Sequence, residues 1–196
     1  CGKDQKEFGW YGQFQSREKK IFRISKKFIR TKIVPAQTII MEALSKPAYD
    51  VDILHLKKKF DIKFKNKTDT IVLLELISKL GLKKALEMIE GMFAFGLWDK
   101  KEKKLFLVRD RFGEKPLFYF KGDEGIVFAS ELKAINSLLN KTLEINNESL
   151  AIFLCLSYVP SPLSIYKNVH KLEPGHYIKF TKSEDSVPKP YWSLEE

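Results

Sequence analysis

The fold is decided by Gly91-Met92-Phe93-Ala94-Phe95-Gly96-Leu97-Trp98-Asp99, then, after a lysine-rich turn, by Leu105-Phe106-Leu107-Val108 leading into Arg109-Asp110-Arg111-Phe112-Gly113. The first run is nearly all apolar and predicts a strand buried on both faces. Two more apolar runs follow, Leu117-Phe118-Tyr119-Phe120 and Ile126-Val127-Phe128-Ala129. Between them Lys121-Gly122-Asp123-Glu124-Gly125 has the residues of a hairpin turn. Consecutive strands with short connections predict antiparallel sheets at the centre of the domain.

Upstream, the period changes. Ile53, Leu54, Leu56 and Phe60 fall at helical intervals, as do Ile71, Leu74, Ile77 and Leu80, with Asp69 near the start of the second helix. Gly81 ends that helix, and residues 83–89 predict another. Downstream, helices are expected at about 130–139 and 147–156, then a strand at 176–180. Short apolar clusters at 33–34 and 38–41 fit short strands or a helix. Five of the eight prolines lie in the last forty residues, as in a segment leading out of a domain. Helices, then strands, then helices make a layered α+β arrangement. The aromatic side chains of the strands are expected in the core, and Arg109, Asp110 and Arg111 in an ion-pair cluster that holds the sheet.

The 196 residues suit one domain, and 44% hydrophobic content supplies a core. Net charge is +10, from 35 Lys and Arg against 25 Asp and Glu. The basic residues are scattered in pairs and triplets such as Lys57-Lys58-Lys59, without a nucleic-acid-binding motif to organise them, so solvated faces are expected and no nucleic-acid partner. No window approaches the roughly 18 apolar residues of a membrane span, and a cytoplasmic location without membrane association is expected. His55, His170 and His176 have no spacing that suggests a metal site, and none is assigned. Cys155, inside the apolar run 150–156, reads as a core thiol.

Cys1 stands apart chemically, because an N-terminal cysteine carries nucleophile and base on one residue. Its free α-amine, with a pKa of about 8, can take the proton of a thiol with a pKa of about 8.5. An arbitrary chain start and a lipoprotein N-terminus fit Cys1 equally from its position alone. Asp69 likewise admits two roles, helix capping or a buried carboxylate that binds a cation.

Residues 90–120, with Phe128-Ala129-Ser130-Glu131-Leu132-Lys133-Ala134, resemble the glutaminase domain of glutamine-hydrolysing asparagine synthetases, a class II glutamine amidotransferase. Tyr158-Val159-Pro160-Ser161-Pro162, Lys171-Leu172-Glu173-Pro174-Gly175-His176-Tyr177 and Tyr191-Trp192 resemble that family's connector to its synthetase domain. The resemblance implies the N-terminal-nucleophile fold, an αββα sandwich of two antiparallel sheets covered by helices. It implies a glutaminase domain over residues 1–157, divergent over 3–46, and a connector over 158–196. In the family, the Cys1 thiolate attacks the glutamine amide, ammonia leaves for a second active site, and water resolves the thioester to glutamate. The aspartate matched by Asp69 in Thr68-Asp69-Thr70 holds the α-ammonium of glutamine. The partners implied are glutamine and either a synthetase domain or a second copy of the chain. ATP and magnesium are expected only in the synthetase domain, because no pyrophosphate loop occurs here and this chain is expected to bind no cofactor.

Between Cys1 and Asp69 the chain departs from the family. The motif that supplies an arginine for the substrate carboxylate is not recognisable, and Arg30 is the candidate replacement. Ala48-Tyr49-Asp50 matches the end of the Asn-Gly-Glu motif that builds the oxyanion hole, which leaves Ser45-Lys46-Pro47 where Asn-Gly-Glu belongs. Loss of one oxyanion donor typically costs about 10²–10³ in rate. The alternative function is therefore a catalytically impaired module that keeps the fold for a structural or partner-binding role.

Overall fold

The computed structural model describes residues 70–122, 125–139, 142–181 and 186–194, together with the backbone of 12–15, 21–24, 30–33, 39–43, 48–50 and 69. Five short strands come first: β1 (Gly12–Gln15), β2 (Ile21–Ile24), β3 (Arg30–Ile33), β4 (Ile39–Ala43) and β5 (Ala48–Asp50). The helix expected over 53–60 lies outside the described residues. Helices α1 (Asp69–Leu80) and α2 (Leu82–Met88) follow, and then β6 (Glu90–Met92), β7 (Ala94–Asp99), β8 (Lys104–Arg109), β9 (Phe118–Gly122) and β10 (Gly125–Ala129). Helices α3 (Leu132–Leu139) and α4 (Asn147–Leu156) precede β11 (Val169–Lys171), β12 (His176–Phe180) and β13 (Lys189–Pro190).

One sheet has the order β1-β2-β10-β9-β11 and the other β13-β12-β8-β7-β4-β3, while β5 and β6 form a separate ribbon. The pairings are antiparallel apart from β10 with β2. Strand alternation sorts the side chains into layers. Phe95, Leu97 and Val108 of the six-stranded sheet lie in one apolar cluster with Val72, Leu73, Leu76 and Ile77 of α1 and with Leu86 of α2. Their sequence neighbours Ala94, Leu105 and Leu107 lie in a second cluster with Tyr119, Ile126 and Phe128 of the five-stranded sheet. The alternate residues of that sheet, Phe120, Val127 and Ala129, pack with Ala134, Ile135 and Leu138 of α3. The three clusters fill the three spaces of an αββα sandwich.

Close approach of the two sheets depends on Gly96. A Cβ placed there would lie 2.6 Å from Cζ of Phe128, whose ring occupies the space a side chain would take. Helix α1 carries its apolar stripe at 72, 73, 76, 77 and 80 and stops where the Gly81 N–H donates to the carbonyl of Ile77 at 2.9 Å. Helix α4 is capped by Asn146, whose side-chain oxygen accepts from the N–H groups of Glu148 and Ser149.

Three expectations are corrected. The apolar run 91–99 is not one buried strand. It breaks at Phe93, and Glu90 and Gly91 ahead of the break are exposed in the ribbon with β5. Cys155 is exposed and not in the core, because α4 lies on the surface with Leu154 74% and Leu156 54% exposed. Arg109, Asp110 and Arg111 are not a mutual ion-pair cluster. Of the three, Arg111 alone pairs with a carboxylate of the described residues, at 3.5 Å from Glu90 on the surface, and the hydrogen-bond partners of the Arg109 and Asp110 side chains are backbone groups and one hydroxyl.

Candidate active site

Asp69 is the first residue of α1, the helix that packs on β4 and shares the cluster of Phe93 and Phe95. Arg30 opens β3, the edge strand of the six-stranded sheet, in register with Ala43. Ala43 is in turn opposite Phe95, Phe95 opposite Val108 and Val108 opposite Tyr177, so Arg30 heads a row that crosses the sheet. Cys1 and Ser45 lie outside the described residues. The stretch that carries Ser45 is nevertheless tied at both ends, by Ala43 opposite Phe95 and by Ala48 opposite Met92. Backbone pairing thus brings Arg30 and both flanks of the Ser45 stretch to the end of the sheet at which β7 begins.

Next to that end is a polar hub that the sequence did not reveal as such. Asp110 is 1% exposed. Its Oδ2 accepts from the N–H groups of Lys115 at 2.9 Å and Phe93 at 3.2 Å, and its Oδ1 accepts from Glu114 N–H at 2.9 Å. The adjacent Arg109 turns to the other side and donates to the carbonyls of Gly113 and Leu172 at 2.6 Å, of Lys115 at 2.9 Å, and to Ser161 Oγ at 3.3 Å. All four oxygens are neutral, and burial holds the guanidinium below its ordinary pKa although Asp110 pulls it up. Tyr191 O–H closes the hub by donating to the Arg109 carbonyl at 2.8 Å, and burial pushes its phenol well above the ordinary range. With its donors committed to fixed oxygens, Arg109 holds the structure together and takes no part in reacting chemistry. A sequence signal existed: an aspartate directly after a strand, followed by Gly113 and Pro116, is the pattern of a side chain that closes a turn on its own backbone.

Among the described residues no group of His, Cys, Asp and Glu is arranged to hold a metal, and no helix is long and apolar enough to cross a membrane. His170 packs against Tyr119, with ring centroids 5.4 Å apart, and burial lowers its pKa.

Residues 51–192 match the model of a family described as the glutamine amidotransferase domain. The chain belongs to the glutamine amidotransferase domain family. The amidotransferase domain is 39% identical over 144 residues to a protein of Methanocaldococcus jannaschii described as "Putative asparagine synthetase [glutamine-hydrolyzing] 2", covering 72% of this chain and 28% of the relative. It is 35% identical over 139 residues to Bacillus subtilis asparagine synthetase [glutamine-hydrolyzing] 2, covering 68% of this chain and 18% of the relative. The chain thus spans between 18% and 28% of the length of these relatives. Among solved structures, the glutamine phosphoribosylpyrophosphate amidotransferase of Bacillus subtilis aligns over 83% of this chain and 31% of its own at a TM-score of 0.52 and 19% identity. A structure described as the allosteric regulatory enzyme of purine biosynthesis gives 0.51 and 20%, over 81% of this chain and 30% of that one. These likenesses establish the fold, the N-terminal-nucleophile sandwich of amidotransferases. Asp69 and the Arg109–Asp110 hub fall inside the matched region of the amidotransferase domain, and Cys1, Arg30 and Ser45 precede it.

Proposed function

We propose that this amidotransferase domain hydrolyses glutamine to glutamate and ammonia, and that the ammonia serves ATP-dependent amidation of aspartate in a synthetase domain of the kind that makes its relatives longer. The observation that carries this reading is the family match over 51–192. Cys1 is the nucleophile in this reading. Its α-amine takes the thiol proton, and the thiolate forms the thioester as the amide nitrogen leaves as ammonia. Asp69 binds the α-ammonium of glutamine, Arg30 its carboxylate, and Ser45 stands on the oxyanion side. Residues 1–157 form the catalytic unit and 158–196 the connector. ATP and magnesium belong to the synthetase domain and not to this chain.

A second reading, an impaired module with a structural or partner-binding role, is favoured by one feature: Ser45-Lys46-Pro47 occupies the place of Asn-Gly-Glu. Serine offers a shorter donor, and Pro47 has no N–H to give. Turnover at least about 10²-fold below that of an intact family member is expected from the oxyanion defect alone. The test is glutamate release from glutamine by this chain and by Cys1→Ala. Weak release that vanishes in the variant supports a crippled glutaminase. Release that survives in the variant excludes Cys1 as the nucleophile, and no release from either leaves the structural role.

A further inference from the structure

Phe93 is the joint at which the central sheet lets go of one strand. The residue after it, Ala94, is paired with Arg109 in the sheet, while the residue before it, Met92, is paired with Ala48 in the separate ribbon. The next ladder position after Ala94 and Arg109 brings Phe93 opposite Asp110, and the Asp110 N–H does donate to the Phe93 carbonyl at 2.9 Å. An antiparallel pair of this kind would return the bond from Phe93 N–H to the Asp110 carbonyl. That carbonyl is taken by Gly113 N–H at 3.2 Å and Gly175 N–H at 2.8 Å. The Asp110 side chain supplies the acceptor instead, its Oδ2 receiving Phe93 N–H at 3.2 Å. One buried carboxylate therefore completes the last rung of the sheet and also closes the 110–115 turn through Glu114 and Lys115.

What hangs on that rung is the β5–β6 ribbon. Between the paired positions Ala43–Phe95 and Ala48–Met92, the β4–β5 side has four residues, 44–47, against two on the other side, Phe93 and Ala94. The longer side includes Ser45. Both anchors of that stretch pair with residues within two positions of Phe93, whose side chain is buried in the cluster of α1, the helix headed by Asp69. The carboxylate thus fixes the backbone from which the oxyanion side and the ammonium-binding side of the proposed site both take their bearings.

We propose that Asp110 is a positioning residue for glutamine hydrolysis: through its bond to Phe93 N–H it holds the β5–β6 ribbon in place at the end of the six-stranded sheet, beside the stretch that carries Ser45. This rests on the glutaminase reading. Asp110→Asn retains size but replaces one oxygen by an N–H₂ group, so at least one of the three N–H donors loses its acceptor. A ribbon that is free to shift loses transition-state stabilisation and leaves ground-state binding of glutamine largely in place.

The experiment has two readouts on the full chain. The first is amide hydrogen exchange in Asp110→Asn, in which peptides covering 48–50 and 90–93 are expected to exchange at least about tenfold faster while 125–129 is unchanged. The second is steady-state glutamate release, with kcat expected to fall about 10–100-fold and KM for glutamine to stay within about twofold. Leu138→Ala, a cavity variant buried under α3 on the far side of the sandwich, controls for loss of stability and is expected to keep kcat. Unchanged exchange at 48–50 overturns the proposal, as does a control that loses as much kcat as Asp110→Asn at equal loss of Tm. If the unmodified chain releases no glutamate, the glutaminase reading and the catalytic half of the proposal fall together, and the exchange data alone decide whether Asp110 holds the ribbon.

Discussion

Replacing Arg109 by lysine keeps the charge and most of the length, yet it is expected to be among the most damaging conservative changes in the domain. The guanidinium fork meets three carbonyls, those of Gly113 and Lys115 in the 110–117 turn and that of Leu172 in the segment after β11, and so adds to the backbone bonds from Leu172 N–H to Leu117 and from Gly175 N–H to Asp110 that join the two segments. A single ammonium on a flexible stem can reach one of them well, so two charge-assisted bonds are lost and two buried or part-buried carbonyls are left without this donor. At roughly 1.5–3 kcal/mol for each bond to a charged group, and allowing for partial rescue by movement of the lysine, the loss is about 3–5 kcal/mol. Urea denaturation at 25 °C followed by tryptophan fluorescence measures it, with the midpoint falling and the slope unchanged. The neighbour Arg111 supplies the contrast: its ion pair is on the surface, and Arg111→Lys is expected to cost no more than about 1 kcal/mol. A loss below about 1 kcal/mol for Arg109→Lys, or equal losses at the two positions, would refute the guanidinium as a principal tie between the 110–117 turn and the 172–175 segment.

Three further outcomes follow from the packing and the titrating groups. Gly96→Ala forces a methyl against the Phe128 ring and should cost about 1–3 kcal/mol in the same denaturation assay, with Phe128→Leu recovering part of the loss in the double variant; a neutral Gly96→Ala contradicts the close sheet contact. On the surface of α4, Leu154→Asp should change stability by less than about 0.5 kcal/mol, and the native Cys155 thiol should react with a disulfide reagent at the rate of a free peptide thiol; slow, unfolding-limited reaction would place α4 in the interior. Tyr191 and Tyr119 both have phenol pKa values raised by burial, so each favours the protonated folded state, and the stability they contribute is present below about pH 10 and lost as pH rises above it. The slope of stability against pH above 10 should be shallower in Tyr191→Phe, and an identical slope would mean that this phenol is not buried as described.

The sequence made the sandwich legible wherever an element is long and its apolar spacing is local. Helices α1 to α4 and strands β8 to β10 and β12 fall where the apolar spacing puts them, give or take a residue or two. What it hid depends on contacts far along the chain. The break at Phe93 is enforced by a carboxylate seventeen residues away, so the apolar run shows no trace of it. Strand β11 has the sequence Val169-His170-Lys171, one apolar residue in three, and exists because β9 presents an edge to it. Helix α4 is apolar on every side, which composition reads as buried, while only Ser149 in it is. Arg109 and Asp110 look like a pair because opposite charges adjoin, but adjacent residues at the end of a strand face opposite ways and find different partners. Of the candidate site, Asp69 was legible as a helix start because the apolar stripe begins just after it. The departure over residues 3–46 removed the motifs that would have identified the carboxylate clamp and the oxyanion donors.

The central claim is that Cys1 is the nucleophile of a glutamine-binding site. Incubating the chain with a glutamine-like diazoketone and mapping the adduct by peptide mass spectrometry tests it without requiring turnover, since alkylation needs the thiolate and a bound ligand but no oxyanion hole. The account predicts a single adduct on Cys1 that excess glutamine suppresses and that Asp69→Asn diminishes. An adduct confined to the exposed Cys155, or labelling of Cys1 that glutamine does not slow, would contradict it.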